Sequence, residues 1–333
     1  MHLNPVPVTH HHSPRLFSLG LGAISAWRGW LSLPAALGVC LMSVPAVRAA
    51  FPEVIDIGSR RELFVDDLLI DKISGGAGLR LHHPVSREIV LSHNAPWEGT
   101  GSGYHSIFKD GDLYRMYYKA WTVQLKDGKY TETNPLYTCY AESDDGIHWR
   151  KPELGIHEFN GSKANNIVMI TGKIGHVHAD AGHVAVFKDD NLDAPPDARY
   201  KAILRSNATG RNPQGIPKGL LPFKSSDGLH WSPMSDAPVI TDGAFDSQNL
   251  AFWDAAHRVY RAYWRYFDEG TGIERTWLPP GVRAVRTATS RDFVTWENQK
   301  DLRYVDSPPE QLYTNQIKPY HRAPHLLLGF PAR

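Results

Sequence analysis

Short apolar runs bounded by polar turns cover most of this chain beyond residue 50. Runs such as 113–118 and 259–264 are rich in aromatic residues and too short for typical helices. Asp, Asn and Gly occupy many of the turns, and no segment shows the spacing of a long amphipathic helix. The pattern predicts an all-β protein. The best helix candidate, residues 61–71, is equally compatible with a strand.

A string with Ser, Asp and Trp at fixed places recurs along the chain. Its copies run over residues 143–149, 226–231 and 290–296. The first two contain Asp-Gly, which favours a hairpin turn because Gly accepts a positive φ and Asp caps the turn. The third copy keeps Ser, Asp and Trp but lacks the Gly. The string predicts equivalent positions for Trp149, Trp231 and Trp296, each at the start of the strand after a turn.

Each turn belongs to a larger unit that reads strand, polar turn, aromatic strand, loop, strand, turn and Trp strand. The units open near His105, His183, Leu250 and Thr314, and the fourth unit contains only its first strands. Units of four antiparallel strands repeated along a chain predict a β-propeller. A β-sandwich is the alternative, but it requires no such repeat.

We expect a signal peptide over residues 1–49 and one propeller domain over residues 50–333, with about three full blades and part of a fourth. The last apolar run, 326–330, lacks the hairpin partner and the Trp turn that complete the other units. A chain that ends there leaves an unpaired strand edge. The blade count therefore predicts a truncated chain and an open ring. A four-bladed ring closed by residues 51–95 is the other arrangement compatible with the pattern.

Residues 1–49 differ in composition from the rest of the chain. They contain Arg but no acidic residue, and an apolar run over 31–47 leads into a small-residue site at 47–49. This order is typical of a signal peptide cleaved after Ala49, and it predicts a secreted or periplasmic protein. A transmembrane anchor is the alternative, but the run is short and contains two prolines. A lipoprotein signal at Cys40 has a weaker sequence match.

Charge and cysteine content narrow the possible functions. The formal net charge is +1 and no run of Lys or Arg follows the chain, so we expect no nucleic-acid partner. Cys40 lies in the predicted signal peptide, which leaves Cys139 without a partner for an intramolecular disulfide. No later apolar segment reaches membrane-spanning length. The Gly-rich stretch 74–78 lacks the helix and Lys-Ser/Thr pair of a phosphate loop, and we expect no cofactor.

The S-D-D-G-x-x-W turns resemble those of the five-bladed β-propeller glycoside hydrolases, the superfamily that includes families 32, 43, 62 and 68. The strings R-E-L-F-V-D-D at 61–67 and F-D-S-Q-N at 245–249 are similar to those of a group of exported bacterial proteins in that superfamily. The resemblance covers residues 51–333, although the W-M-N-D-P and R-D-P strings of the well-known families are absent. It implies a propeller fold and a carbohydrate ligand, with hydrolysis by carboxylates in a central funnel.

In that superfamily the carboxylates come from the first strands of successive blades. Glycoside hydrolysis uses one carboxylate as base or nucleophile and another as acid. One acidic residue precedes the first strand of each unit in this chain: Glu98, Asp180, Asp246 and Glu310. The resemblance implies that these are the catalytic candidates, with Asp246 first among them. Asp66 and Asp67 form a competing pair, of which only one can point inward from a strand.

Sugar rings pack against aromatic faces and form hydrogen bonds with polar groups. The candidate substrate-binding residues lie near the predicted strand starts: Trp97, His105, Trp121, His178 and Asn249. His176, His178 and His183 surround Asp180 and have the residue types of a metal site. Two His with one residue between them on a strand also suit a polar funnel lining, and we predict no metal.

Three functions are compatible with these features. The protein is an exported glycoside hydrolase, a non-catalytic propeller that binds carbohydrate or a surface, or a structural module of an extracellular assembly. The carboxylates discriminate between them. Hydrolysis is favoured if Glu98, Asp180 and Asp246 converge in the funnel within roughly 10 Å, and binding is favoured if they point outward. The sequence does not determine whether the protein is an enzyme.

Overall fold

Nearly all the regular structure is β-strand, in four consecutive antiparallel sheets and one separate hairpin. The computed structural model describes residues 54–132, 135–206, 217–269, 281–304 and 307–332. The predicted signal peptide lies outside these ranges. The all-β prediction is confirmed, and residues 61–71 form neither a helix nor a strand. Within the described ranges, no helix has the length and apolar character needed to cross a membrane.

The strands follow one another with few interruptions. In chain order they are β1 (Gly101–Asp110), β2 (Leu113–Trp121), β3 (Val123–Lys126), β4 (Lys129–Glu132), β5 (Tyr137–Ser143), β6 (Trp149–Arg150), β7 (Ile167–Ile170), β8 (Gly172–Ile174), β9 (Val177–Lys188), β10 (Tyr200–Ser206), β11 (Leu220–Ser225), β12 (Ser232–Pro233), β13 (Leu250–Asp254), β14 (Val259–Phe267), β15 (Arg283–Ser290), β16 (Trp296–Asp301), β17 (Lys318–Tyr320) and β18 (Ala323–Leu328). A short 3-10 helix, Pro196–Ala198, precedes β10.

Each of the first three sheets is a meander in chain order. The first has the order β1-β2-β5-β6 with β7 beside β5, and the second has the order β8-β9-β10-β11-β12. The third has the order β13-β14-β15-β16, and β17 pairs with β18 in the fourth. Strands β3 and β4 form the separate hairpin.

The first long strand of each meander borders a common axis. In the second sheet this strand is β9, because the short β8 before it forms only the outer hairpin, and β9 and β10 are counted below as the first and second strands of that blade. Residues 106–109 of β1, 185–188 of β9 and 250–253 of β13 line one cavity of about 440 Å³. Residues 317–319, at the start of the fourth sheet, complete its wall. Antiparallel sheets whose first strands line one central channel are the blades of a β-propeller. The predicted propeller is confirmed, and the count of five blades stays a prediction.

Apolar side chains fill the space between neighbouring blades. One cluster joins Tyr117 of β2 to Leu204 of β10. Another joins Phe187 of β9 to Trp264 of β14, which has no exposed surface. Because each blade is covered by its neighbours, a strand in the middle of a blade is buried on both faces. This burial explains why the second strands read as continuous aromatic and aliphatic runs.

Hydrogen bonds to buried carboxylates also connect neighbouring blades. In each of the first two blades, a carboxylate at the end of the first strand accepts such a bond from the next blade. Asp110 accepts a hydrogen bond from the hydroxyl of Tyr200 in the second blade. Asp189 accepts one from the hydroxyl of Tyr260 in the third blade, at 2.7 Å. Both carboxylates form an ion pair with a cation of their own blade. The paired charges compensate for the cost of burying these acids between blades.

The three Ser-Asp turns share one set of hydrogen bonds. The Ser143 hydroxyl accepts a bond from the backbone N–H three residues later at 2.9 Å, and Asp145 accepts two further backbone bonds at 2.8 Å. Ser290 begins the same set in the third blade. In the second blade the set begins at Ser225, so the predicted start at Ser226 is wrong by one residue.

The Trp residues after these turns occupy equivalent positions, as the sequence predicts. Trp149 and Trp231 donate their indole N–H to the carbonyl of the turn glycine, at 3.0 and 3.1 Å. Trp296 begins β16 as Trp149 begins β6. Phe293 takes the place of the turn glycine in the third blade, with a φ of 69°. Its side chain is completely buried.

Candidate functional site

A buried glutamine joins the starts of the first strands. Nε2 of Gln248 donates to the carbonyls of Tyr104 in β1 at 2.8 Å and Val184 in β9 at 3.1 Å. Its Oε1 accepts a bond from Gln316, just before β17, at 2.7 Å. These bonds place the starts of four blades around one point. The side chains around it are called the central cluster here: Tyr104, Lys119, Asp180, His183, Arg205, Asp246, Arg265 and Tyr313.

Tyr104 lies at the middle of this cluster with a strained backbone. Its φ is 54°, and the register of β1 against β2 shifts between Gly103 and Ser106. Its hydroxyl is 3.0 Å from that of Tyr313, and its ring centroid is 5.3 Å from that of His183. Burial and the nearby Tyr313 raise the pKa of Tyr104, so its hydroxyl stays protonated. Strained residues of this kind are concentrated at functional sites.

Each of the first three blades places one cation at the same position of its second strand. These cations are Lys119 in β2, Arg205 in β10 and Arg265 in β14. Each follows, at the same interval, a tyrosine near the strand start: Tyr114, Tyr200 and Tyr260. Lys119 and Arg265 are buried. The repeat therefore brings three cations to the axis, and Arg205 and Arg265 each form an ion pair with a carboxylate there.

Asp180, a predicted catalytic residue, is held by two neighbours. Its Oδ2 lies 3.0 Å from Nε of Arg205 and 3.0 Å from Nδ1 of His183. Burial alone would raise the pKa of Asp180, but the bond from His183 and the charge of Arg205 hold it well below its usual range. Burial lowers the pKa of His183 in turn. Asp180 is therefore ionised and His183 neutral at pH 7.

Glu98, the second predicted carboxylate, has a separate network of its own. The Tyr118 hydroxyl donates to it at 2.6 Å, and Nζ of Lys151 lies 2.7 Å away. Burial raises the pKa of Glu98, but bonds with His93, Lys151 and Tyr118 outweigh it and lower the pKa to about 2. Glu98 is therefore ionised throughout the physiological range.

Asp246, the preferred candidate, is the most accessible of the three. It forms an ion pair with Arg265. Its side chain is 27% exposed, against 0% for Glu98 and 2% for Asp180. Its backbone carbonyl lies 3.5 Å from the hydroxyl of Tyr313. Of the three carboxylates, Asp246 is therefore the most exposed to solvent.

Glu310 does not join the other candidates. It lines a separate cavity of about 440 Å³ together with Tyr266, Leu302 and Pro331. This cavity lies beside the second and third strands of the third blade and not beside the first strands. Tyr313 follows Glu310 in the chain and takes the place near the axis that the sequence assigned to the acid.

Two predicted binding residues lie beside the ionised carboxylates: Trp121 next to the central cluster and His105 in the network of Glu98. The Trp121 ring centroid is 3.8 Å from Nζ of Lys119, a member of the central cluster. His105 stacks on Tyr118 with a centroid distance of 5.7 Å, and its Nε2 is 3.1 Å from Nε2 of His93. Burial and the nearby His93 lower the pKa of His105. Trp121 therefore belongs to the central cluster region, and His105 belongs to the Glu98 network.

The other three predicted binding residues have structural contacts. The indole N–H of Trp97 donates to the side chain of buried Asn166 at 2.6 Å. His178 lies in the β8–β9 hairpin, opposite Lys173. Asn249 is 1% exposed and donates to carbonyls of its own loop at 2.8 and 3.2 Å. None of these contacts of the three residues involves a side chain of the central cluster.

The histidines near Asp180 do not converge. His176 pairs with Asp236 at 2.7 Å, whereas His183 pairs with Asp180. In the part of the chain that the structure describes, no group of three or more His, Cys, Asp or Glu side chains is arranged to hold a metal ion.

A larger open cavity, about 680 Å³, lies near the opposite ends of the first strands. Its lining includes Trp253, His257 and Arg258, around the turn between β13 and β14. It contains no residue of the central cluster and no predicted site residue. The convergence of ion pairs and aromatic rings at the central cluster makes that end of the axis the candidate site.

Sequence reasoning misses the cations and one aromatic residue of this site. The repeat of a tyrosine followed five residues later by Lys or Arg was a visible signal for Lys119, Arg205 and Arg265. Tyr313 had no comparable signal, because only its place after the third blade brings it back to the axis. The chemistry of glycoside hydrolysis predicts acids at the axis but gives no reason to expect their cationic partners.

Comparisons with known proteins give structural neighbours only. No family model matches the sequence, and no curated protein matches it significantly. A family 117 glycoside hydrolase from Zobellia galactanivorans is similar over 71% of this chain and 64% of its own, with 11% identity and a TM-score of 0.41. A glycosyl hydrolase from Bacteroides ovatus is similar over 66% and 53%, with 14% identity and a TM-score of 0.35.

A third neighbour is a β-1,2-mannobiose phosphorylase from Listeria innocua, solved with β-1,2-mannobiose. It is similar over 60% of this chain and 57% of its own, with 11% identity and a TM-score of 0.34. This chain therefore spans less than two thirds of each of these three proteins.

Proposed function

We propose that this protein binds an oligosaccharide at the central cluster and hydrolyses it, with Asp246 as the carboxylate that meets the sugar. One observation carries the proposal. Asp246 is 27% exposed at the end of the axis, while the other two first-strand carboxylates are buried. Tyr313, which is 37% exposed, lies beside Asp246, and Trp121 lies beside Lys119 of the same cluster. Both rings offer aromatic faces for the apolar face of a sugar ring.

The ion pair suggests the role of Asp246. A guanidinium in contact with a carboxylate favours the ionised form. An ionised carboxylate serves glycoside hydrolysis as a nucleophile or as the base that activates water. Arg265 is 3% exposed and donates through Nε to the carbonyl of Ala244 at 3.2 Å, so it holds the carboxylate in a defined place.

Glu98 and Asp180 have positioning roles in this proposal. The pKa of Glu98 is lowered to about 2 and that of Asp180 is held well below its usual range, so neither carries a proton at pH 7. A general acid needs a raised pKa. Asp180 instead orients His183 and Arg205 beside Tyr104.

The lowered pKa values of Glu98 and Asp180 support a second candidate function. A propeller whose first-strand carboxylates supply no proton donor suits binding without hydrolysis. Non-catalytic binding of an oligosaccharide at the same cluster is therefore the alternative.

A glycan-hydrolysis screen with the full chain, combined with calorimetric binding, tests both functions. Asp246→Asn should lower hydrolysis by about 10²-fold or more and leave binding nearly unchanged. Asp242→Asn is the matched control, because Asp242 is in the same loop and pairs with Arg286 at 2.7 Å outside the central cluster. Binding without hydrolysis by the unmodified chain would select the second function. Hydrolysis that survives Asp246→Asn would refute the role of Asp246.

We also propose that the protein works outside the cytoplasm. The acid-free start, the apolar run and the small-residue site at 47–49 support cleavage after Ala49. N-terminal sequencing of the exported protein should begin near Ala50 or Phe51. An intact Met1 on a cytoplasmic protein would contradict the proposal.

A further inference from the structure

The open cavity of about 680 Å³ at the opposite ends of the first strands contains charged side chains that are free to bind a ligand. Arg258, Arg291 and Asp193 line this cavity and are exposed. In the ranges that the structure describes, none of these three side chains forms a hydrogen bond or an ion pair. The basic residues of the same lining that do pair with a carboxylate are Lys201, Lys224 and His257.

Arg258 also has a strained backbone. It immediately precedes β14 with a φ of 54°, in a region that residues other than glycine rarely adopt. Phe293 has a similar φ, but its ring is completely buried in the core. The side chain of Arg258 is exposed, so packing does not offset its strain in the same way. Strained residues of this kind are concentrated at functional sites.

Arg291 occupies a position of the Ser-Asp turn whose side chain takes no part in the hydrogen bonds of the turn. Those bonds are accepted by the hydroxyl of Ser290 and the carboxylate of Asp292. Asp144 has the equivalent place in the first blade, where it pairs with Arg150 at 2.6 Å. The turn therefore does not require an arginine, and only the cavity gives Arg291 a surrounding in which its charge has a use.

An aromatic ring forms another part of the wall. Trp253 of β13 is half-buried and lines the cavity. Its ring centroid is 4.9 Å from that of buried Tyr260, whose hydroxyl donates to Asp189 at 2.7 Å. Asn191 donates to the same hydroxyl at 3.2 Å. The neighbours of Trp253 are thus fixed before a ligand binds, which lowers the entropic cost of binding.

These groups together suit a saccharide. An aromatic ring covers the apolar face of a sugar, while sugar hydroxyls accept hydrogen bonds from guanidinium groups and donate them to carboxylates. Trp253 provides the ring, Arg258 and Arg291 the donors, and Asp193 the acceptor oxygens. The volume of about 680 Å³ is within the range of small-molecule sites, roughly 300–1,000 Å³.

We propose that this cavity is a second saccharide-binding site, which holds the protein on a polysaccharide while the central cluster acts on it. The cavity contains no residue of the central cluster, so the two sites bind separate parts of the ligand. Two such contacts raise the affinity for a polymer above that for a short oligosaccharide. The inference rests on the proposed function in one respect, which is that the ligand is a saccharide.

Affinity electrophoresis of the full chain tests the second site. The probes are native gels that contain galactan, arabinan, mannan or polygalacturonate. We expect at least one of these polysaccharides to retard the protein. Arg258→Gly and Arg291→Ala should each raise the apparent Kd for that polysaccharide by about tenfold, because each removes a charge-assisted hydrogen bond.

Arg258→Gly also separates ligand binding from a structural role. Glycine adopts a φ of 54° without strain, so this variant should unfold at a higher urea concentration although it binds more weakly. Arg322→Gly is the matched control. Arg322 is also exposed and immediately precedes the second strand of its sheet, but its φ is not positive and it does not line the cavity. This control should leave the retardation unchanged and give no gain in stability.

The outcomes separate the two proposals. Retardation that survives both Arg258→Gly and Arg291→Ala would overturn the second site. A lower unfolding midpoint in Arg258→Gly would also overturn it, since the turn would then need the arginine. If no polysaccharide retards the protein but the glycan screen detects binding or hydrolysis, the second site is wrong and the proposed function stands. If both experiments detect nothing, both proposals are wrong.

Discussion

At Phe293, backbone strain and the burial of an aromatic ring have opposite effects on stability. Phe293 replaces the turn glycine of the first two blades and has a φ of 69°. A non-glycine residue in this region is strained by about 1–2 kcal/mol. Its ring is completely buried, at centroid distances of 5.6 Å from Phe187, 5.2 Å from Tyr260 and 5.7 Å from Trp296. Removing such a ring from a core costs about 3–5 kcal/mol.

Phe293→Gly should therefore destabilise the protein by about 1–4 kcal/mol, because the lost packing outweighs the relieved strain. The free energy of unfolding in urea measures the difference. Asn298→Gly is the matched control, since Asn298 has a φ of 56° in the next strand and is exposed. The control should change stability by less than about 0.5 kcal/mol. A Phe293→Gly variant as stable as the unmodified protein would refute the packing argument.

Three further predictions concern the joints between blades and the buried carboxylates. Gly228→Ala should destabilise the protein by about 1–3 kcal/mol more than Gly111→Ala. Both glycines have a positive φ, but only at Gly228 would a Cβ lie 2.5 Å from the Tyr117 hydroxyl, and urea unfolding compares the two variants. Tyr260→Phe should lower the free energy of unfolding by about 1–3 kcal/mol in the same assay, because it removes the 2.7 Å hydrogen bond to a buried carboxylate of the second blade. An unchanged unfolding midpoint would contradict a stabilising role for this hydrogen bond. Folding lowers the pKa of Glu98 from 4.5 to about 2, so its contribution to stability is complete above pH 4.5 and disappears as the pH falls towards 2. The stability difference between the unmodified protein and Glu98→Gln should therefore shrink over that range, and a difference independent of pH would contradict it.

The turns show where sequence reasoning succeeds. The hydrogen bonds of Ser143 and Asp145 reach only two or three residues along the chain. Such bonds form wherever the residues occur in that order, so the string predicts the turn and the strand that follows it. Its repetition then predicts the blades. The one error, the start of the second copy at Ser226, arose because the neighbouring Ser225 is also a serine.

The candidate site shows where sequence reasoning ends. Acids before the first strands were visible, but Asp180 meets a cation 25 residues away and Glu98 meets one 53 residues away. These pairings depend on strand register and on loops of unequal length. The same acids therefore differ in exposure and in their partners, although their places in the repeat are alike. Glu310 satisfied the pattern, yet the path of the chain places Tyr313 near the axis in its stead.

The sequence by itself determined the strands, the turns and their repetition, because local hydrogen bonds and apolar periodicity specify them. Only the tertiary structure decided that Asp246 is the most exposed of the three first-strand carboxylates and that Asp180 lies opposite Arg205 across the second sheet. Both facts depend on which residues are opposite one another across a sheet and on how deeply neighbouring blades bury them. A one-residue change of register would alter every such pairing while leaving the sequence pattern the same.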